Sequence, residues 1–322
     1  MDGNIRQKTK MTQQFATNVL TSTSSLSGLM QTFYSRDFLD RVKLMTVYDI
    51  GANKKAMPSN SGKTIYFNRF DRLTPATTPL TSGTTPATTT LSTTVVSATV
   101  AQYGDWAQVS DIFELTSIDA GLRESVSVFA QQGAETIDAL IEAVLKAGST
   151  AQLANAKSNI TDIAATDTLD GAEIRKAVRT LKKNGAMKFS DGGYKSIINV
   201  SAAYDLMGDS EWLDASRYTD TANIKNGEIG KYAGVTFSET NLESTTASTV
   251  TVHNTYVFGA NAYAIVDIAG SSNVEIIVKA PSASDTSNPL NMYSTVGWKV
   301  KAFVAKVLNA SWIIKIQSGV TA

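Results

Sequence analysis

The sequence predicts an α+β protein, and three observations carry that reading. A helical stretch runs unbroken from Ser117 to Gly148, two segments at Tyr293–Val304 and Ser311–Ile316 alternate as late strands, and Leu73–Gly104 carries no charged residue at all. Along the helix Ile118, Leu122, Val126, Phe129, Gly133, Ile137, Leu140, Ile141, Val144 and Leu145 recur at spacings of three and four and form one apolar face. Arg123, Glu124, Gln131, Glu135, Asp138 and Glu142 lie mostly off it. Thr116 or Ser117 can cap the first amides, Asp119 sits in the positive first turn, Lys146 in the negative last turn, and Gly148 supplies a left-handed stop. At ~1.5 Å per residue this spine is on the order of 45 Å long. Its apolar period drifts toward about 3.6 residues rather than the heptad of a coiled coil, which favours a sheet as its partner.

Taken in order, residues 1–28 are polar, rich in Thr, Ser and Gln, and slightly basic at Arg6, Lys8 and Lys10, so they predict a mobile arm whose cations could face a polyanion. Leu29–Val47 carries a helical stripe of Met30, Phe33, Tyr34, Phe38, Val42 and Met45 and reads as a docking helix. Gly51–Gly62 breaks the pattern, and Lys63–Phe70 then alternates as a strand. Threonine occurs twelve times between Thr74 and Thr99, and three of the six prolines, Pro75, Pro79 and Pro86, fall in the same stretch. With Gly83 these residues exclude helix, while Leu91–Gln102 is β-branched and alternating. The stretch therefore reads as the tip and return limb of a long projecting hairpin. A mucin-like stalk shares this composition, but strands of matched length on both sides favour the loop. Gly104 is read as a bend or bulge that delivers the chain into the spine.

After Gly148 a soft segment reaches Asp167. Leu169–Asn184 is a helix, opened by the capping-box pattern of Asp170 and Glu173, striped by Ile174, Ala177, Val178 and Leu181, and closed by Gly185. Tyr194–Val200 is a buried-type strand and Ser201 opens a short helix to Met207. Val235–Ser238, Tyr256–Phe258, Ala262–Ile268 and Val274–Lys279 are further strands, so residues 160–285 alternate like a compact α/β domain. In the last strands Val296, Trp298, Val300, Ala302 and Val304 share one face, as do Trp312, Ile314 and Ile316, and both are expected beneath the spine.

Composition narrows the chemistry. Lys plus Arg equals Asp plus Glu at 29 each, so the average charge gives no warrant for a nucleic-acid or membrane-surface partner, although a local patch is compatible with it. The absence of cysteine excludes disulfides, thiolate metal sites and a cysteine nucleophile. No run long enough to span a bilayer and no signal-peptide pattern occurs, so neither a membrane nor secretion by that route is expected. Ser61–Thr64 reads SGKT, but the first glycine of a phosphate loop would fall at Met57 and a strand follows instead of a helix. His253, the single histidine, lies in a Thr-rich stretch and is expected on a surface loop. Glu135, Asp138 and Glu142 have the spacing of a carboxylate pair or triad, and equally of the solvated or interfacial edge of the spine, which is the reading adopted. No catalytic, metal or cofactor-binding residue is predicted, and an enzyme is not expected.

Six stretches in order carry a resemblance: GKTIYFNRF, TPLTSG, ATVAQYGDWAQVSD, AVRTLKKNGA, NGEIGKYAGVTFSET and STVGWKVKAFVAKVLNASWIIKI, spanning about residues 60–317. Together the chain resembles the major coat proteins of tailed bacteriophages with the HK97-like fold, most closely the group typified by the podovirus N-four coat protein. The resemblance implies an N-terminal arm and docking helix at 1–50 and an extended β-hairpin loop at 51–104. It also implies a peripheral domain at 105–160 and 286–322 around the spine at 117–148, and an axial domain at 161–285. It further implies self-assembly into hexamers and pentamers, a shell around double-stranded DNA in non-specific contact, scaffold, portal and decoration proteins as partners, and a place in the virion head after assembly in the bacterial cytoplasm. The Thr-heavy loop at Thr84–Thr94 and the polar first 28 residues depart from the pattern. Nothing in the motifs identifies a reactive Lys and Asn pair, so non-covalent clamping is expected. An encapsulin-type compartment is the rival within the fold, and a hydrolase or carbohydrate-binding module is the rival from another class.

Overall fold

The structure, a computed structural model, describes residues 46–112, 121–212, 230–268, 274–279 and 289–321, apart from positions 59, 61, 71, 72, 211, 243 and 291. The expected arm with Arg6, Lys8 and Lys10, the docking helix up to residue 45, and the helix caps at Thr116, Ser117 and Asp119 lie outside the described residues. The described chain packs as two units, one of residues 104–134 and 274–300, the other of 46–103, 135–273 and 301–321.

The spine is α1, Gly121–Gly148, and its length belongs to both units. In the first unit β4 (Ala101–Ser110) and β12 (Val274–Lys279) pair with β13 (Tyr293–Val307). Val126, Phe129 and Ala130 of α1 are buried, as are Val296, Trp298 and Val300 of β13. The Trp298 indole donates to Gln132 Oε1 (3.0 Å), and Gln132 Nε2 donates to Asp105 Oδ2 on β4 (2.7 Å), so one amide side chain ties helix and two strands. Hydrogen bonds from Gln132 and the Trp106 amide hold the Asp105 carboxyl below the usual range. Gly104 lies inside β4, where an added Cβ would stand 2.5 Å from the Trp298 carbonyl, so close approach of the backbone calls for glycine there.

In the second unit β1 (Asn53–Met57), unexpected from the sequence, pairs parallel with β11 (Tyr263–Ile268), which pairs antiparallel with residues 303–307 of β13. A second sheet has the order β5 (Thr150–Leu153), β14 (Ile313–Ser318), β10 (Val252–Phe258), β6 (Tyr194–Asn199), β8 (Val235–Thr240), β7 (Lys231–Tyr232), with β9 (Thr245–Thr246) on β10. The two late strands therefore enter different sheets, and the soft segment after Gly148 holds a strand. β5 follows the spine directly and lies parallel to β14, with Thr150 opposite Ile314. The Lys315 ammonium donates to the Lys146 carbonyl at the end of α1 (3.0 Å), which binds the final strand to the spine. Residues Ala310–Trp312 form a 3-10 turn, so Trp312 precedes β14.

The parallel neighbours β6 and β8 are joined through α3 (Val200–Gly208), and α2 (Gly171–Lys183) covers the same sheet. The Asp170 carboxylate accepts from the Glu173 amide (2.8 Å), as the capping pattern requires, and Gly185 closes α2 at φ 67°. The Glu173 side chain turns instead to Gln152 (2.6 Å) and Lys176 (3.4 Å). The cap of α3 is Asn199, which accepts from the Ser201 amide; Ser201 is the first donor rather than the cap. Leu169, Ile174, Leu181, Ile198, Leu206, Val257 and Ile314 close the core between these helices and the sheet. No described helix is long and apolar enough to cross a membrane.

Candidate assembly interface

The projecting hairpin consists of β2 (Thr64–Phe70) and β3 (Thr93–Thr99), in register from Thr64 opposite Thr99 to Phe70 opposite Thr93. Period-two alternation splits its side chains between two environments. Ile65, Phe67, Val96 and Ala98 turn inward onto Met57, Ala264 and Val266, and the Lys55 ammonium lies 5.2 Å from the Phe67 ring centroid. Tyr66, Phe70 and Val95, on the other face, are 65%, 70% and 54% exposed. The expected return limb divides at Val100. Its amide closes the hairpin on the Lys63 carbonyl (2.9 Å), and β4 then leaves to pair with β13. From Leu73 to Thr94 every residue is exposed, with one turn in which the Thr84 amide meets the Thr81 carbonyl and Gly83 adopts φ 82°. Leu80 and Leu91 are 77% and 63% exposed, so the tip presents apolar groups without covering them.

The segment that leads into this hairpin is fastened to the spine. The amides of Val47 and Tyr48 donate to the two oxygens of Asp138 (2.8 and 3.2 Å), which is buried rather than on a solvated edge. The ring of Tyr48 stands edge-on to that of Tyr256 at 6.3 Å, and the Tyr263 hydroxyl donates to the Tyr48 carbonyl (2.7 Å). One turn along the helix Glu142 accepts from the Tyr256 hydroxyl (2.9 Å) and from Ser244, whose hydroxyl also meets that of Tyr256 (2.8 Å). Asn254 Nδ2 donates to the Ser244 carbonyl (3.1 Å), and Gln317 donates to Asn254 (3.1 Å). Burial pushes the Asp138 carboxyl up to about 6 against the opposing pull of its two amide donors. Burial raises Tyr48, Tyr256 and Tyr263 as well, so all three stay protonated.

The three spine carboxylates are thus separated in role: Glu135 is exposed, Asp138 is a buried acceptor and Glu142 is held by two hydroxyls. His253 is buried in β10 opposite Ser318, not on a surface loop, because β10 begins at Val252, four residues before the expected strand. Among the described residues its Nδ1 has no hydrogen-bond partner. Gly62, at φ 89°, and Lys63 lead into strand β2, an arrangement unlike a phosphate loop. Among the described residues no group of three or more His, Asp or Glu is arranged to hold a metal. The latch formed by Tyr48, Ser244, Asn254 and Tyr256 has no sequence pattern, since Tyr48 and the Glu142 it gathers around lie far in the chain from the other three.

A spine helix packed on strands, with a hairpin whose outer face and uncharged tip are left open to solvent, gives an architecture that is HK97-like. The chain belongs to the phage capsid protein family, whose sequence model matches residues 52–289. The fold is similar to the capsid of cyanophage P-SCSP1u (TM-score 0.64, 15% identity, 85% of this chain and 88% of that one). It is also similar to the capsid of Ralstonia phage GP4 (0.64, 11%, 86% and 89%) and to the acid-stable capsid of Helicobacter pylori bacteriophage KHP30 (0.61, 14%, 85% and 89%). No curated protein sequence is significantly similar.

Proposed function

We propose that the chain is the major capsid subunit of a tailed phage, that its copies assemble as hexamers and pentamers, and that they close an icosahedral head around double-stranded DNA. The observation that carries this reading is the hairpin, whose inner face is sealed on its own subunit while Tyr66, Phe70, Val95 and an uncharged tip stay open. Among the described residues nothing covers that surface, and a repeated neighbour supplies the cover at every position of a shell. The clamp is non-covalent, and the role has no catalytic step. Residues 51–104 serve as the extended loop, 105–160 with 286–322 as the peripheral domain, and 161–285 as the axial domain. The six quoted stretches favour the podovirus N-four group. Scaffold, portal and decoration proteins are partners during assembly in the host bacterial cytoplasm, and the finished subunit resides in the virion head.

Overproduction of the full chain followed by negative-stain microscopy and sedimentation tests this reading. Closed shells are expected. A monomer or dimer at every concentration and ionic condition overturns it, and shells filled with an enzyme cargo point to a compartment instead. Deleting Pro75–Thr90 leaves a folded subunit that fails to give stable shells; shells of undiminished thermal stability would refute the clamp.

A further inference from the structure

The chain is neutral as a whole, yet α2 concentrates Arg175, Lys176, Arg179, Lys182 and Lys183 against one acid, Glu173. Glu173 is buried and engaged by Gln152 and Lys176, so it does not neutralise the outer face. Arg175, Arg179 and Lys182 recur on successive turns and, with Val178 and Ala233, line an open cleft of about 290 Å³. Its lip is the two-residue Ala233–Gly234 turn between β7 and β8, with φ of 51° and 81°. Among the described residues no carboxylate pairs with Arg179, Lys182 or Lys183. The negative end of the helix accounts for Lys182 and Lys183 locally, but Arg179 lies in its middle, where that field has faded.

We propose that this face of α2 is a binding site for the phosphate backbone of double-stranded nucleic acid, read without regard to sequence. The stripe from Arg175 to Lys182 is about 10 Å long at ~1.5 Å per residue. Double-stranded DNA presents one charge per ~1.7 Å of axis, so several phosphates pass within reach of such a stripe. The buried Val178 gives the cleft a floor that sugar carbons can touch, and the exposed guanidinium and ammonium groups flank it. A second copy of the chain is the rival occupant, and following shells and duplex binding in the same samples separates the two. The proposal rests on the capsid reading, which supplies the polyanion, and assigns its contact to α2 rather than to Arg6, Lys8 and Lys10.

The test measures binding of the full-length subunit to a random-sequence 20-base-pair duplex by fluorescence anisotropy between about 50 and 200 mM salt, with sedimentation of the same samples to follow shells. Arg179→Gln, Lys182→Gln and Lys183→Gln combined should lower the slope of log affinity against log salt by about 2 to 3, and affinity at the lower salt by at least about tenfold. Replacing the same residues by Lys, Arg and Arg should restore both. Lys63→Gln, Lys188→Gln and Lys306→Gln, an equal loss of charge on exposed residues elsewhere, should change the slope by less than about one. The proposal is overturned by an unchanged slope in the α2 variant, by an equal loss in the two triple variants, or by no duplex binding in the unaltered chain. It is also overturned if the α2 variant loses shells while keeping its duplex affinity, which would make the face a contact between copies. Absence of shells from the unaltered chain defeats the capsid reading instead, and the slopes still report on the α2 face.

Discussion

At Asp138 two opposing effects act on one carboxyl. Removal from water favours the neutral acid, two amide donors favour the anion, and burial prevails, leaving the group at about 6 against an ordinary 3.8. A folded-state value above the unfolded one means that the native chain holds the extra proton between those limits. The stabilising contribution is therefore complete below about pH 4 and is lost as pH rises through about 6. The loss is on the order of 3 kcal/mol, and it should vanish in Asp138→Asn, which has no proton to lose. Urea unfolding from pH 4 to 8 checks this: the stability difference between unaltered chain and variant should shrink as pH rises to about 6.5 and stay level above, and a parallel pair of curves would contradict it. The sequence hid this residue because the buried stripe runs through Ala130, Ala134, Asp138, Ile141 and Leu145. Small residues mark close approach to neighbouring chain, but they add little to an apolar pattern dominated by Ile137 and Leu140. His253 was obscured in a similar way, since threonine and asparagine around it signal a loop unless the flanking strands that bury them are known.

Elements that carry their own signals were legible, and those defined only by a partner were not. The helix α2 has cap, stripe and glycine stop within one stretch and forms where expected, whereas β1 and β5 are short, largely exposed strands whose pairing depends on β11 and β14. Asp170→Ala removes the acceptor for the Glu173 amide and should cost about 1 kcal/mol in urea unfolding without altering the fold. Gly104→Ala should be far more damaging in its own unit. A Cβ placed 2.5 Å from the Trp298 carbonyl and 3.2 Å from the Lys299 Cα meets backbone, which cannot swing aside as a side chain can. Trp298→Ala empties a buried site at a cost of about 3 to 5 kcal/mol and leaves Gln132 without its indole donor. Limited proteolysis should show β13 and the first half of α1 becoming sensitive together in both variants, and protection of either element alone would argue against their packing as one body.

For the whole molecule the informative property is what a single copy leaves uncovered. The charge-free stretch from Leu73 to Gly104 reads in the sequence as a projecting loop, but only the register of β2 and β3 separates the side chains that seal the subunit from those left open to solvent. Tyr66→Ser, Phe70→Ser and Val95→Thr all fall on the open face, while Phe67 and Ala98 remain on the inner one. Exposed positions contribute little to the isolated chain, so unfolding of the triple variant as a soluble subunit should stay within about 0.5 kcal/mol per site of the unaltered chain. In a shell the same side chains are expected to be covered, each aromatic bringing roughly 1.5 to 3 kcal/mol, and the loss recurs at every copy. Shells of the variant should therefore fail to form or should open at markedly lower temperature, followed by light scattering and calorimetry on heating. Shells that open at the same temperature as the unaltered ones would show that this face touches no neighbour, and the hairpin would then owe its length and its uncharged tip to something other than assembly.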